Sequence, residues 1–377
     1  MNLQRFVRWC ETASSRQRAE GYAILARALA DETLPPLDRD AASNGLYLAL
    51  DDPSPKVRLT VADAVAESAA APRALVKGLL LDIDEIAARV ALSPVLTSED
   101  LRDALVVVRE PVRAAIAARP RLGAVAVALA RVGGIAASLV LAANDCASMP
   151  AATFRCMAER WGGNAALRSL LLERHDLPAD VRQTLILEAG HALQHSAFVA
   201  GVLGVARSSE IAFEACARAT AAMAEWLDGR DMPSLIDHLR TSGQLTPAFL
   251  IRITCSGNID LLAASLAALS GLSERRVRAV VVEARQGPFR SLARDCGLDE
   301  SAAALLHLAT RQWKEVATGA VSGDVRDVSA FVMRRVVEAF RALPGCRPGD
   351  TTRFLRQLEG ESARDAARNR RELLLAA

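Results

Sequence analysis

Glu188, His191 and His195 come closest, by residue type and spacing, to a metal site. At i, i+3 and i+7 they share one face of a helix, where two imidazoles four residues apart can hold zinc and Glu-x-x-His is half of a di-iron motif. However, residue 192 is alanine, a second Glu-x-x-His is missing, and His175 is the one plausible third imidazole. We therefore favour surface or packed histidines and predict no metal or cofactor.

The sequence contains no phosphate-binding or nucleophile motif. Neither G-x-x-x-x-G-K-[ST], nor a dinucleotide-binding glycine fingerprint, nor G-x-S-x-G occurs. The glycine-rich stretch 201–206 follows a helical pattern, so a helix C-terminus is the favoured interpretation. No serine or cysteine has a histidine nearby that would mark a nucleophile. These observations favour binding over catalysis.

The composition indicates which type of secondary structure must position any functional site. Of the 377 residues, 51% are apolar and 24% are charged, which excludes intrinsic disorder. Aromatic residues make up only 4%, and alanine and leucine dominate, as is typical of closely packed helices. The formal net charge of +2 argues against a polybasic or acidic surface along the whole chain.

The cysteines and the first residues of the sequence indicate the cellular location. The seven cysteines are scattered and form no C-x-x-C, which favours reduced thiols in a cytoplasmic protein. The first residues contain no apolar stretch of the kind found in a secretory signal. Residues 122–143 are nearly long enough to span a membrane, but Arg131 lies near their middle and Gly133-Gly134 divides them. We predict two short buried helices there and no membrane partner.

Two interleaved series of helical segments recur along the first half of the chain. One series starts at Pro72, Ser98, Leu122, Pro150 and Pro178, and the other at Pro55, Asp84, Glu110, Gly133 and Asn164. Their common period predicts a helix-turn-helix unit of about 25–28 residues, stacked in sequence order so that neighbours bury each other's apolar faces. The valine triplets 106–108 and 280–282 lie within helical patterns, and we expect both to be buried.

The predicted fold is an all-α, HEAT-like α-α superhelix of stacked helix pairs with an irregular helical C-terminal part. Its clearest repeat is Asp51–Arg58, where an Asp and a Pro precede a Val-Arg pair as in HEAT repeats. We predict a repeat array over 1–200, an irregular helical continuation over 201–320, and a C-terminal helical cap over 321–377. In the continuation, glycines break the helices, the last break being Gly287-Pro288. Within the cap, Pro344-Gly345 and Pro348-Gly349 predict a turn, and Glu361–Glu372 a solvated helix.

Several phrases of the sequence resemble a bacterial family. "LTSEDLRDAL", "RHDLPADVRQTL", "ALSGLSERRVRAVV" and "ARDCGLDESAAALL" are similar to the helical proteins grouped as domain of unknown function 2336. The resemblance spans roughly residues 40–316. It implies an all-helical, HEAT-like array without an assigned activity, and it offers no functional residues.

A row of cations is the candidate binding feature. Lys77, Arg102, Arg155 and Arg182 occur four or five residues into successive second helices, and Ala126 interrupts the row. Second helices of such arrays line one surface, so these cations could meet an acidic partner or phosphates. The alternative is an ordinary solvated helix face, which nearby carboxylates would also partly neutralise.

Two functional hypotheses follow. The first is a non-enzymatic scaffold whose curved surface holds a protein or peptide partner. The second is a nucleic-acid binding protein resembling the HEAT-like alkylpurine DNA glycosylases, for which Trp161 is the candidate aromatic residue. The small net charge argues against strong phosphate affinity, since each phosphate contact needs a cation.

Overall fold

The computed structural model describes residues 3–30, 35–225, 227, 229–319, 325–342 and 350–376. Within these ranges the regular elements are all helices, which confirms the predicted all-α class. The chain divides into two compact units, Met1–Val181 and Arg182–Ala377, and each is described by itself. The superhelix and the division at residues 200 and 320 stay predictions.

In the first unit the helices are α1 (Leu3–Thr12), α2 (Ser15–Ala30), α3 (Pro36–Tyr47), α4 (Pro55–Val65), α5 (Arg73–Leu80), α6 (Asp84–Val90), α7 (Ser98–Val107), α8 (Glu110–Ala117), α9 (Ala124–Val132), α10 (Ile135–Ala143), α11 (Ala151–Trp161) and α12 (Ala165–Glu173), with a 3-10 turn at Leu48–Asp51. Helix α13 (Ala179–Gln194) begins in this unit and continues into the second.

Alternate helices of the first unit pack on one another in chain order. Helices α4, α6, α8, α10 and α12 form one succession, which we call the first layer. Helices α5, α7, α9 and α11 form the second layer, in which α9 packs on both α7 and α11. The second-layer helices begin at residues 73, 98, 124 and 151, at intervals of 25, 26 and 27. The starts of these helices therefore recur at the predicted spacing, and Gly133-Gly134 separates α9 from α10.

The amino ends of helices in the first unit are joined to the preceding helix of the same layer. Arg58 of α4 donates two hydrogen bonds to the carboxylate of Asp82, just before α6, and the distance from its Nε to Oδ2 is 2.6 Å. Between α8 and α10, the carboxylate of Glu110 accepts hydrogen bonds from the backbone N–H groups of Gly134 and Ala137 at the start of α10. An anion at this position satisfies backbone donors that no helical carbonyl can reach, and it lies at the positive end of the helix dipole.

The carboxyl ends of the first layer are joined in the same manner. Arg119, Asn144 and Arg174 follow α8, α10 and α12, and each donates to backbone carbonyls at the end of the preceding first-layer helix. The distance from Arg119 to the Ala91 carbonyl is 2.6 Å. These carbonyls have no partner within their own helix, so each repeat completes the hydrogen bonding of the one before it.

In the second unit the helices are α14 (Ala197–Leu203), α15 (Val205–Ala224), α16 (Met232–Thr241), α17 (Pro247–Cys255), α18 (Ile259–Ser270), α19 (Glu274–Glu283), α20 (Gln286–Asp295), α21 (Glu300–Ala317), α22 (Val325–Arg341) and α23 (Asp350–Ala376). At its centre is α17, which contacts α15, α18, α21 and α22 and whose last seven residues are all buried.

Three predictions for this unit need correction or lie outside the structure. Gly287-Pro288 does not break a helix but lies in the first turn of α20, where a missing proline N–H costs nothing. Glu361 is not solvated, because it is paired with the buried Arg252 of α17. The turns predicted at Pro344-Gly345 and Pro348-Gly349 lie outside the described residues.

Candidate binding surface

The predicted cation row would have to lie on the outer side of the second layer. Helices α5, α7, α9 and α11 each bury one stripe and turn another outward. Neighbouring helices run in the same direction, because Arg73 at the start of α5 bonds Asp100 at the start of α7, and Arg160 near the end of α11 bonds the carbonyl of Ala130 near the end of α9. Corresponding residues of successive repeats therefore lie side by side on what we call the second-layer face.

The structure brings three of the four predicted cations to this face. Lys77, Arg102 and Arg155 each directly follow two buried residues on α5, α7 and α11, and on α9 that position is taken by Val127. The predicted interruption, Ala126, is instead fully buried. Arg182 is the first residue of the second unit, where burial lowers the pKa of its guanidinium.

Two of these cations are engaged by carboxylates of the neighbouring repeat. The Lys77 Nζ lies 3.2 Å from an oxygen of Asp100. The Arg155 Nε lies 2.6 Å from Asp180, and this bond raises the pKa of Arg155. By contrast, Arg102 donates only to the carbonyl of its own helix, and no carboxylate in the described chain pairs with it. The second-layer face thus holds one repeat-spaced cation that is available to a ligand.

Asp100 is the most heavily bonded carboxylate of this region. Only 1% exposed, it accepts two bonds from Arg73 and one each from the backbone and hydroxyl of Thr97, whose own hydroxyl caps α7. The bonds from Arg73 lower the pKa of Asp100 far below its usual range, against the opposing effect of burial. Asp100 therefore holds Arg73 and Lys77 in place and is itself shielded from any ligand.

A row of exposed aliphatic side chains borders these charges. Its members are found where second-layer helices end, so they form one edge of the face, which we call the apolar edge: Leu81, Val106, Val107 and Val132. The exposed fractions of Val106 and Val107 are 74% and 73%. Arg131, beside Val132, is exposed and has no carboxylate partner among the described residues. On α11 the row continues as Trp161, which is half-buried beneath the Arg160 guanidinium.

The exposure of the apolar edge corrects a prediction. The helical patterns predict burial of both valine triplets, yet Val106 and Val107 face outward and only Val108 of the first triplet is buried. In the second triplet Val281 is buried and Val282 is 59% exposed. The sequence does carry the missing signal, since Val106 follows Arg102 by four residues and therefore shares its polar stripe.

The histidine cluster shows no metal-site geometry. His191 on α13 and His195 directly after its end are both exposed, and the His195 Nδ1 lies 2.8 Å from the His191 carbonyl. Among the residues that the structure describes, no group of three or more His, Cys, Asp or Glu side chains is arranged to hold a metal ion. No helix in the same ranges is both long enough and apolar enough to cross a membrane.

Comparison with known proteins yields one family. The profile described as "Uncharacterised protein conserved in bacteria (DUF2336)" matches residues 88–342, which include α7 to α22 and most of the second-layer face. No curated protein and no solved structure matches the chain. Because the match extends over well more than half of the sequence, the chain belongs to the DUF2336 family.

Proposed function

We propose that this chain is a non-enzymatic binding protein whose second-layer face takes a protein or peptide segment. The observation that carries the proposal is the exposure of Val106 and Val107, adjacent on α7 and both more than 70% exposed. A single exposed valine is ordinary, but a repeated row of exposed aliphatic residues is typical of a surface covered by a partner. We further propose a HEAT-like arrangement of the array and a cytoplasmic location, the latter from the scattered cysteines.

The charges beside the apolar edge indicate the chemistry of the partner. Arg102 lies one turn before Val106 on α7, and Arg131 directly precedes Val132 on α9. Neither guanidinium has a carboxylate within ion-pair distance in the described chain, whereas Lys77 and Arg155 are both paired. A segment that combines aliphatic side chains with carboxylates would cover the valines and pair both arginines. Nucleic-acid binding, the alternative, stays a prediction.

Selection of peptides on the full chain tests the proposal. From a random library we expect sequences rich in aliphatic and acidic residues, which bind the Val106→Asp, Val107→Asp double variant at least about tenfold more weakly than the unaltered chain. Val282→Asp is the matched control, because Val282 is also exposed near a helix C-terminus, on α19 of the second unit.

Two results would count against this function. Peptides that bind the double variant as tightly as the unaltered chain would show that the apolar edge is not their site. Equal weakening by Val282→Asp would show a general effect of added negative charge. Circular dichroism of both variants checks that the helices are retained, as expected for side chains that contact mainly solvent.

A further inference from the structure

The first three helices of the first unit border a pocket that shares no helix with the second-layer face. Helix α3 packs on both α1 and α2, and the space between the three helices has a volume of about 480 Å³. Side chains from all three helices line it, among them Trp9 of α1, Leu25 of α2 and Ala42 of α3. We call this space the α1–α3 pocket. Its volume lies within the range of about 300–1,000 Å³ that is usual for small-molecule sites.

Aromatic rings form one wall of the α1–α3 pocket. The ring centroids of Phe6 and Trp9, both on α1, lie 5.7 Å apart, and Tyr22 of α2 meets the Phe6 ring edge-on at 5.3 Å. Tyr22 is buried, whereas Trp9 is 38% exposed. Because only 4% of the chain is aromatic, three rings in contact are a local concentration. The pocket therefore offers the π surface of Phe6 and Trp9, which the buried Tyr22 supports.

Gly21 allows the Trp9 indole to lie directly against α2. A β-carbon at Gly21 would be only 2.7 Å from the Trp9 Cη2 and 2.8 Å from its Cζ3, closer than such atoms can approach. Any larger residue would therefore displace the ring from the pocket wall. Since this packing fixes Trp9 in advance, binding of a ligand does not have to order the ring.

The charge of the pocket comes from Asp38. Among the residues that the structure describes, Asp38 is the one ionisable side chain in the pocket lining. It is half-buried in the first turn of α3, where its carboxylate also interacts favourably with the helix dipole. The faces of aromatic rings are negative as well, so a carboxylate beside them attracts cations and repels anions. An organic anion is therefore disfavoured in this pocket.

We propose that the α1–α3 pocket binds a small apolar molecule that carries a protonated amine. Leu25 and Ala42, both buried, would contact its apolar part, and Asp38 and the Trp9 ring would attract its charge. Ile24 is 65% exposed at the edge of the pocket, which leaves a path for entry from solvent. A neutral apolar molecule would gain the same burial but no attraction to Asp38. The pocket precedes residues 88–342 and so lies outside the family match.

Ligand-observed NMR on the full chain tests the proposal with three probes that share one apolar skeleton: phenylbutylamine, phenylbutanol and phenylbutyrate. We expect the amine to bind at least about tenfold more tightly than the alcohol, as is typical of a charge-assisted contact, and the carboxylate to bind most weakly. In Asp38→Asn the amine should lose its advantage over the alcohol. Asp40→Asn is the matched control, because it removes the same charge from an exposed position on α3 and should keep the preference.

A further variant tests where the probes bind. Ala28→Phe, on the α2 wall, places a large side chain in the pocket and should weaken binding of the amine and the alcohol alike. A merely structural role of Asp38 in α3 would weaken all three probes equally in Asp38→Asn. The ratio of the amine and alcohol affinities therefore separates recognition of charge from an effect on stability.

Four results would overturn the proposal. Absence of binding by all three probes at millimolar concentration would show that the pocket is not a ligand site. Equal affinities of the amine and the alcohol for the unaltered chain would exclude recognition of charge. A preference for the amine that survives Asp38→Asn, or that Asp40→Asn removes as well, would assign it to the general field of the chain. Amine binding that Ala28→Phe leaves unchanged would place the ligand elsewhere. None of these results depends on whether the second-layer face binds peptides.

Discussion

In the first unit, several close ion pairs join residues of neighbouring repeats, such as Arg58 with Asp82 and Arg155 with Asp180, which are 24 and 25 positions apart. In the second unit, the most deeply buried pair joins Arg252 of α17 to Glu361 of α23 across 109 positions. The first arrangement repeats with the period of the helices, whereas the second occurs once. The first unit should therefore lose stability in small local steps, and the second should depend on a single contact.

Removing the Glu361 carboxylate is expected to have the largest effect. Arg252 is only 4% exposed, and its Nη1 lies 2.6 Å from Glu361 Oε2, so Glu361→Ala leaves a buried guanidinium without its counter-ion. Breaking such a pair from one side typically costs about 3–5 kcal/mol of unfolding free energy. Hydrogen exchange measured by mass spectrometry should show faster exchange in α17 and α23 and no change in α4 to α10.

Glu361→Gln is the matched control for this variant. Its amide oxygen still accepts a hydrogen bond from Arg252 while the charge is lost, so its effect should lie between those of the unaltered chain and Glu361→Ala. Equal stability of all three proteins in urea would show that the long-range pair does not hold α23 to the unit.

A smaller and more local loss is expected for Asp100→Asn in the first unit. The asparagine keeps one carbonyl oxygen but loses the charge that Arg73 and Lys77 share. We expect the free energy of unfolding to fall by about 2 kcal/mol, because the buried hydrogen bonds lose their charge assistance but one acceptor oxygen remains. Faster hydrogen exchange should be confined to α5 and α7. Uniform acceleration throughout the first unit would show that its repeats unfold together.

Acid should lower the stability of the first unit through two of its buried carboxylates, Asp52 and Asp100. In Asp52, burial raises the pKa, but bonds from Arg18 and the Ser54 N–H outweigh it and leave the pKa low. Bonds from Arg73 keep the pKa of Asp100 low, so both groups bind protons more readily in the unfolded chain. Their contribution is complete above the ordinary carboxyl pKa of about 4 and is lost as the pH falls through the lower folded values. Urea midpoints between pH 6 and pH 3 should fall, and less steeply in Asp100→Asn.

The same contrast explains what could be read from the sequence. Every predicted start of the two helical series between Pro55 and Pro178 lies within two residues of an observed helix, because prolines, capping residues and apolar spacing are local signals. Pairs such as Arg58 with Asp82 follow from stacking at a fixed period. The Arg252–Glu361 pair has no such signal, since nothing local relates α17 to α23.

The candidate surfaces were harder to predict for a related reason. The cation row was visible because lysine and arginine are usually exposed, but which of its members are neutralised depends on carboxylates one repeat away. The helical pattern around Val106 and Val107 predicts burial, although the spacing of Val106 from Arg102 indicates the outer stripe. The glycine-rich stretch 201–206 indicated a helix C-terminus, but α14 was not predicted as a separate helix, because Gly201 and its seven-residue length give almost no helical period.

The smallest effect should come from an exposed pair between neighbouring repeats. Arg89 of α6 lies 3.6 Å from Asp63 of α4, and both side chains are more than half exposed. Water screens this pair and competes for its hydrogen bonds, so Arg89→Ala should change the unfolding free energy by less than about 0.5 kcal/mol. A loss comparable to that of Asp100→Asn, measured by urea unfolding, would mean that repeat spacing alone, and not burial, makes an ion pair important in the first unit.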